Sequence, residues 1–260
     1  MTILDKLADH ARERCELYKA EMPLSELRRK AESLPIGDFP FEAALRKPGI
    51  SFICEVKKAS PSKGIIAVDF PYLSIAREYE AAGADCISVL TEPKWFLGSD
   101  GYLEEIARSV SIPCLRKDFT VDEYMIYQAK LLGASAVLLI CSILDEGRLG
   151  EYIMLARSLG LTALVEAHDE KEIMTALRCR ASVIGVNNRD LKDFSVDTSN
   201  SRRLRDIIPE DIVFVSESGI KTPEDVALLR DAGVSAVLIG EALMKSTDKK
   251  QKLRELRGLL

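Results

Sequence analysis

The sequence predicts an α/β protein, a single (β/α)8 TIM barrel with an N-terminal helical extension. Eight short apolar runs rich in β-branched residues recur along the 260-residue chain, a pattern typical of parallel strands buried on both faces. The joints AAGADCISVL, LLGASAVLLI and DAGVSAVLIG resemble one another, because in each a glycine ends a helix shortly before the next strand. Eight such units favour a closed barrel over a doubly wound open sheet, and the chain has no G-x-G-x-x-G motif.

The eight predicted strands cover residues 50–56, 84–90, 112–116, 134–140, 161–167, 181–187, 211–217 and 234–240. Amphipathic segments with helical spacing separate them. Two of these helices have a clear N-terminal signal: Thr222 precedes Pro223 and two acids, and Asp169 can cap a helix over 170–178. Alternating strands and helices of this length indicate a parallel sheet.

The residues before the first strand form the predicted extension. One amphipathic helix is marked by Ile3, Leu4, Leu7, Ala11, Cys15 and Tyr18. A second helix is predicted from Leu24 to Leu34, followed by a connection from Pro35 to Pro48. Because neither helix can bury a core of its own, we predict one domain over residues 1–260, in which residues 1–48 pack on the barrel.

Composition and charge exclude several classes of function. The net charge is −5, and no basic patch with interleaved aromatic residues suggests nucleic-acid binding. No apolar run approaches the roughly 20 residues that span a membrane, and residues 1–20 lack the apolar stretch of a signal peptide. The six cysteines contain no C-x-x-C, which favours buried free thiols in a reducing compartment. We therefore expect a cytoplasmic protein.

Polar residues stand at the carboxyl ends of the predicted strands, where barrels of this class carry their chemistry. In strand 1, Glu55 and Lys57 lie two residues apart and therefore on the same side. The other strands end in R-K-D-F at 116–119, Glu166, N-N-R-D at 187–190, S-E-S-G at 216–219 and G-E at 240–241. Buried charges cost several kcal/mol each unless they are paired, so such a ring indicates a site for acid–base chemistry.

Glycine-containing loops predict a phosphate site beside these charges. Ser218-Gly219 and Gly240-Glu241 follow strands 7 and 8, where backbone N–H groups bind anions in this fold, and Ser60-Pro61-Ser62 follows strand 1. The chain has no H-x-H, acidic metal cluster or Walker loop, so no metal site is expected. Neither His10 nor His168 is assigned a catalytic role.

Together these motifs resemble one enzyme family. The set E-V-K-K-A-S-P-S-K-G, S-V-L-T-E-P-K-W-F-L-G-S, L-R-K-D-F, L-V-E-A-H-D, G-V-N-N-R-D-L, S-E-S-G-I and L-I-G-E-A-L-M is similar to that of indole-3-glycerol phosphate synthases, enzymes of tryptophan biosynthesis. The resemblance runs from the N-terminal helix to the last barrel helix. It implies conversion of 1-(2-carboxyphenylamino)-1-deoxyribulose 5-phosphate to indole-3-glycerol phosphate, CO2 and water, with neither a metal nor an organic cofactor.

The resemblance also implies roles for individual residues. Lys117 matches the general acid of ring closure and Glu166 the base. Glu55 and Asn187 match groups that orient the sugar hydroxyls, and Lys57 matches either a cation near the substrate carboxylate or the acid of dehydration. The residues that match the substrate-binding pocket are Ser60, Phe96, Phe119, Leu138, Arg189, Glu217, Ser218, Gly219, Gly240 and Glu241.

Three alternatives remain open at this stage. A lysine could form a Schiff base with a sugar carbonyl, the barrel could be a sugar-phosphate isomerase, or it could bind a phosphorylated ligand without catalysis. The last alternative is disfavoured because a pure binding protein would gain stability by replacing the charges with apolar residues. We expect a monomer acting on a small phosphorylated molecule, with at most weak association with other enzymes of the tryptophan pathway.

Overall fold

Eight parallel strands close into a barrel in the computed structural model, which describes residues 2–190 and 194–259. The strands are β1 (Ser51–Val56), β2 (Cys86–Leu90), β3 (Cys114–Lys117), β4 (Ala136–Ile140), β5 (Thr162–Ala167), β6 (Val183–Asn187), β7 (Val213–Glu217) and β8 (Ala236–Ile239). Each strand pairs with its sequence neighbours, and β8 pairs with β1 to complete the ring. The predicted fold class is therefore confirmed.

Helices connect the strands on the outside of the barrel. They are α1 (Ile3–Glu21), α2 (Leu24–Glu32), α3 (Pro40–Leu45), α4 (Tyr72–Ala81), α5 (Asp100–Ser109), α6 (Glu123–Leu131), α7 (Glu146–Ser158), α8 (Glu170–Arg178), α9 (Ser199–Leu204), α10 (Pro223–Asp231), α11 (Glu241–Met244) and α12 (Lys249–Leu256). Asp169 caps α8, and Thr222 and Asp225 form a capping box at α10, as the sequence indicates. Within the described ranges, no helix is both long and apolar enough to cross a membrane.

Side chains that alternate along the strands fill the barrel in layers. Ile53, Leu115, Leu164 and Val215 come from the odd-numbered strands and are all buried in one cluster inside the barrel. Two residues further along the same strands are Glu55, Lys117, Glu166 and Glu217, which share the inward face by the period of two. The layer nearest the carboxyl ends of these strands is therefore charged, where barrels of this class mostly hold bulky apolar groups.

The N-terminal extension covers the barrel at both of its ends. Phe41 and Leu45 of α3 are buried in the same cluster as the first inward residues of the strands, such as Ala236. At the other end, Ile3 and Leu7 of α1 reach the cavity above the charged layer. The Pro35–Pro48 connection contains a short helix that was not predicted, since residues 40–45 are helical; Pro40 occupies the first turn of α3, where its missing N–H costs nothing.

A buried ion pair fixes α1 to the barrel. The guanidinium of Arg14 donates two hydrogen bonds, of 2.6 and 3.1 Å, to the carboxylate of Asp118, which follows β3 directly. Thr91 Oγ1 donates a further hydrogen bond of 2.6 Å to the same carboxylate. Burial alone would raise the pKa of Asp118, but Arg14 and then Arg116 outweigh it and lower this pKa.

We expect Arg14→Met to lower the free energy of unfolding by about 3 kcal/mol, since it leaves Asp118 buried without its main cation. Urea denaturation followed by circular dichroism measures this difference. The matched control is Arg12→Met, which removes an exposed pair with Asp9 on the same helix and should change the free energy by less than about 0.5 kcal/mol. Equal effects of the two substitutions would contradict an anchoring role for Arg14.

Candidate active site

A cavity of about 590 Å³ opens at the carboxyl ends of the barrel strands. All fifteen residues that the sequence singles out line it: Glu55, Lys57, Ser60, Phe96, Lys117, Phe119, Leu138, Glu166, Asn187, Arg189, Glu217, Ser218, Gly219, Gly240 and Glu241. The fold thus brings together residues that are separated by up to 186 positions in the sequence. Their roles in the reaction stay predictions, since position alone does not assign chemistry.

Lys117 lies between two buried carboxylates. Its Nζ is 3.3 Å from Glu166 Oε2 and 3.5 Å from Glu217 Oε2, while Glu166 and Glu217 are each 2% exposed. The three side chains come from β3, β5 and β7, so the pairing follows from strand order rather than from sequence proximity. One ammonium group is therefore shared by two acids from different strands.

The pKa values in this cluster are shifted in different directions. Burial opposes the charge of Lys117, but Glu166, Glu217 and Glu55 outweigh burial and raise its pKa. For Glu166, burial is outweighed by Lys117 and His168, so the pKa of this carboxyl is lowered. Burial dominates at Glu217, whose pKa rises to about 7 despite Lys117. Two neighbouring carboxyls with pKa values pushed apart can serve as an ionised base and a proton store.

The absence of two side chains makes room for the carboxylates. A Cβ built on Gly240 would collide with the carboxylate of Glu55, and one on Gly185 would collide with that of Glu217. Glu55 on β1 also accepts a hydrogen bond from the ammonium of Lys57, which directly follows β1 and lies on the same face. Gly185, in the middle of β6, was not predicted as a site residue, because the side chain for which it makes room, that of Glu217, lies on the neighbouring strand.

One region of the cavity is suited to an anion. Ser218 and Gly219 both adopt positive φ angles, of 67° and 85°, which turn the backbone sharply after β7. The pKa of Glu241 is lowered, first by its hydrogen bond with Lys245 and then by the charges of Lys63 and Arg189. Cations therefore surround the Gly240-Glu241 loop. Lys63 and Lys245 were not predicted as site residues, because lysines in loops look like ordinary surface residues.

An apolar wall forms another side of the cavity. The rings of Phe96 and Phe119 have centroids 6.1 Å apart, and Leu138 is a buried lining residue from β4. Ile3 and Leu7 from α1 also line the cavity, so the extension contributes to it directly. These side chains can accommodate a flat aromatic group away from the charged layer.

Glu92, which was not predicted as a site residue, holds the loop that carries the wall residue Phe96. Its carboxylate is fully buried and accepts hydrogen bonds from the backbone N–H groups of Lys94, Trp95 and Phe96, at 3.0, 2.7 and 3.0 Å. His10 Nδ1 of α1 lies 3.1 Å from it. The only signal in the sequence was an acid following an apolar strand within T-E-P-K-W-F.

The loop after β1 also contains regular structure that was not predicted. Ala59–Ser60 and Gly64–Ile65 form a short antiparallel hairpin, so Ser60-Pro61-Ser62 lies at the start of its turn. Ser60, Pro61, Ser62 and Lys63 all line the cavity. The hairpin therefore forms one edge of the cavity mouth.

Comparisons with known proteins identify the family of the chain. The family model described as "Indole-3-glycerol phosphate synthase" matches residues 4–256. The indole-3-glycerol phosphate synthase of Ruminiclostridium cellulolyticum is 55% identical over 257 residues, covering 98% of this chain and 99% of the relative. That of Endomicrobium trichonymphae is 52% identical over 256 residues, with the same two coverages of 98% and 99%.

Solved structures support the fold alone. The 3-hexulose-6-phosphate synthase from Salmonella typhimurium superposes with a TM-score of 0.67 at 13% identity, covering 81% of this chain and 98% of that one. KGPDC from Streptococcus mutans gives a TM-score of 0.63 at 11% identity, covering 81% and 96%. The motifs, the near-complete family match and the high identity of the relatives lead to one conclusion: the chain belongs to the indole-3-glycerol phosphate synthase family.

Proposed function

We propose that Lys117 and Glu166 carry out the two proton-transfer stages of the family's reaction in this chain. Members of the family are carboxy-lyases of tryptophan biosynthesis, and the function of this chain is indole-3-glycerol phosphate synthesis. The observation that carries the residue assignment is the shared ammonium of Lys117, 3.3 Å from Glu166 and 3.5 Å from Glu217 in a buried layer.

Ring closure requires an acid at the carbonyl oxygen of the substrate. The anthranilate ring carbon that bears the carboxylate attacks the ribulose carbonyl, and the negative charge that develops on the oxygen must be neutralised. Lys117 donates its proton to this oxygen, which becomes a hydroxyl, and the ring closes with a cation delocalised onto the aniline nitrogen. The two carboxylates hold the ammonium in place before the transfer.

Decarboxylation then follows without an added electron acceptor. The cationic aniline nitrogen takes up the electron pair that is released when the bond to the carboxylate breaks, so CO2 leaves and the aromatic ring is restored. Lys57, paired with Glu55 beside Gly240, is placed to bind the substrate carboxylate before it departs. The ring atoms of the substrate thus supply the electronic driving force, and the protein supplies position and charge.

Dehydration requires a base and an acid on the same intermediate. Glu166 takes a proton from the five-membered ring, and the hydroxyl leaves as water after protonation by Lys57, or by Lys117 once Glu217 has returned a proton to it. The lowered pKa of Glu166 keeps its carboxylate ready to accept the proton. Glu217, with its pKa raised to about 7, can hold a proton near neutral pH beside Lys117.

The remaining residues bind and orient the substrate. Asn187 and Arg189 come from the end of β6, where Asn187 Oδ1 accepts a hydrogen bond of 3.1 Å from the backbone N–H of Arg189. The proposal places the phosphate at the turns that follow β7 and β8, beside the hairpin after β1, and the aromatic ring between Phe96 and Phe119. Glu241 contributes only its backbone N–H, since its own carboxylate is paired with Lys245.

An indole fluorescence assay tests the whole proposal. Purified protein is given 1-(2-carboxyphenylamino)-1-deoxyribulose 5-phosphate in the presence of a chelating agent and with no added cofactor. It should form indole-3-glycerol phosphate and release one CO2 per molecule of product. Borohydride added during turnover should trap no covalent adduct, since no step uses a Schiff base. Absence of indole fluorescence, or a trapped lysine adduct, would contradict this mechanism.

We also propose that the enzyme works in the cytoplasm. All six cysteines are free, with Cys15, Cys54, Cys86 and Cys114 buried, which fits a reducing compartment. The monomeric state and the weak association with other enzymes of the pathway stay predictions.

A further inference from the structure

The imidazole of His168 lies beside the carboxylate of Glu166, and none of the proposed reaction steps uses it. Its Nε2 is 3.7 Å from Glu166 Oε1, and its Nδ1 is 3.3 Å from Glu172 Oε2. The side chain is 20% exposed, and Nε2 is a buried atom with no hydrogen-bond partner in the part of the chain that the structure describes. A buried polar atom of this kind calls for an explanation, and its nearest acid is the proposed base.

Hydrogen bonds fix the backbone of His168 and the Glu172 carboxylate that contacts its ring at Nδ1. Glu172 Oε2, on α8, also accepts a hydrogen bond of 2.8 Å from the backbone N–H of His168. Ser142 Oγ donates a hydrogen bond of 2.6 Å to the other oxygen of Glu172. Asn200 Nδ2 donates one of 3.1 Å to the carbonyl of His168. The ring is therefore fixed with Nε2 directed toward Glu166.

The two facing carboxylates determine the protonation of the ring. An ionised carboxylate can only accept a hydrogen bond, so each nitrogen that faces one is favoured as an N–H donor. An imidazole with a carboxylate at both nitrogens is therefore favoured as the imidazolium. Burial opposes this charge, but the hydrogen bond with Glu172 and then the charge of Glu166 raise the pKa of His168 to about 9.

We propose that His168 is a positioning residue for the base: as an imidazolium fixed by Glu172, it keeps the buried Glu166 carboxylate ionised and oriented while Lys117 gives its proton to the substrate. Lys117 cannot both donate its proton and stabilise the Glu166 carboxylate, because after proton transfer it no longer carries the charge that offsets Glu166. Among the described residues that face Glu166, His168 then remains as a cation. This inference rests on the proposed role of Glu166 as the base.

The pH dependence of His168→Gln tests the charge, since glutamine keeps a polar N–H-bearing side chain at this position but removes the cation. Among the described residues, the carboxyl groups whose charges act on His168 are Glu172 on α8, Glu166 on β5 and Glu217 on β7. Removing the cation raises the pKa of Glu166, so the acidic limb of kcat/KM should move upward by about one pH unit. We expect a loss that approaches about tenfold at pH values below the acidic limb of the parent enzyme, and a loss of no more than about threefold at pH 8.5, where Glu166 is ionised in both proteins.

His10→Asn is the matched control, because His10 is the chain's other histidine and also contacts a carboxylate, that of Glu92 at 3.1 Å. The acidic limb of the kcat/KM profile of His10→Asn should coincide with that of the parent enzyme. In this variant His168 is the sole imidazole, so its protonation can be read from proton NMR of the ring. We expect a charged ring at pH 7, and thermal unfolding confirms that each variant is folded.

Three results would overturn the inference. They are a neutral His168 ring at pH 7, an acidic limb that His168→Gln leaves in place, and a loss of activity that is equal at every pH. The NMR titration needs no substrate, so it tests the charge of His168 independently of catalysis. An unchanged rate in Glu166→Gln would instead show that Glu166 is not the base. Failure of the positioning role and failure of the catalytic assignment are therefore distinguishable.

Discussion

Lys117→Met should lower kcat by about 10³-fold, because methionine has nearly the same length but no proton to give to the substrate oxygen. Affinity for the phosphorylated product should stay within about threefold, since the proposed phosphate loops and the aromatic wall are untouched. Indole fluorescence measures kcat, and calorimetric titration with indole-3-glycerol phosphate measures affinity. The substitution also leaves Glu166 and Glu217 without their shared ammonium.

Lys117→Arg separates these two effects of Lys117. Arginine keeps a cation between the carboxylates but does not give up its proton, so the variant should be stable and still nearly inactive. Lys171→Met, on the exposed face of α8, is the control for the loss of a lysine elsewhere and should keep the parent rate. A near-normal rate in either variant at position 117 would remove this residue from the mechanism.

Glu166→Gln should lower the rate of indole formation by about 10² to 10³-fold, because an amide cannot accept the proton that dehydration releases. KM should change little, since the shape of the side chain is preserved. Because CO2 leaves before dehydration, a single turnover should still release CO2 while indole fluorescence lags behind. Rapid mixing with parallel CO2 and fluorescence detection resolves the two events.

The matched control for this prediction is Glu151→Gln, an exposed acid on α7 that is not among the residues lining the cavity. It should show CO2 and indole appearing together at the parent rate. If Glu166→Gln loses CO2 release and indole formation in equal measure, the residue acts at ring closure, and its assignment to dehydration is wrong.

The strands were predictable because each is a continuous apolar run, but their first residues were not. The run 134–140 begins two residues before β4, since Ala134 and Ser135 belong to the turn after α6. Ser135 already bonds to the backbone of Cys114, yet the ladder of β4 starts at Ala136. Composition alone does not distinguish a turn that enters a strand from the strand itself.

The site was predictable as a set of residues but not as a set of contacts. Lys117 could be recognised from L-R-K-D-F, whereas its two carboxylate partners depend on how β5 and β7 are arranged in the closed ring. His168 was set aside because in the sequence it lies beyond the end of a strand. Its environment becomes visible only when Glu166 and Glu172 are seen on opposite sides of the ring.

The glycines at 185 and 240 have a consequence for attempts to change which substrates the enzyme accepts. Any larger residue at either position would displace a carboxylate of Glu217 or Glu55, so these two sites are closed to substitution. Phe96 and Phe119 are instead cavity-lining side chains whose rings pack against each other, so substitutions there change the shape of the aromatic wall. Libraries aimed at substituted anthranilates should therefore vary the wall and leave both glycines unchanged.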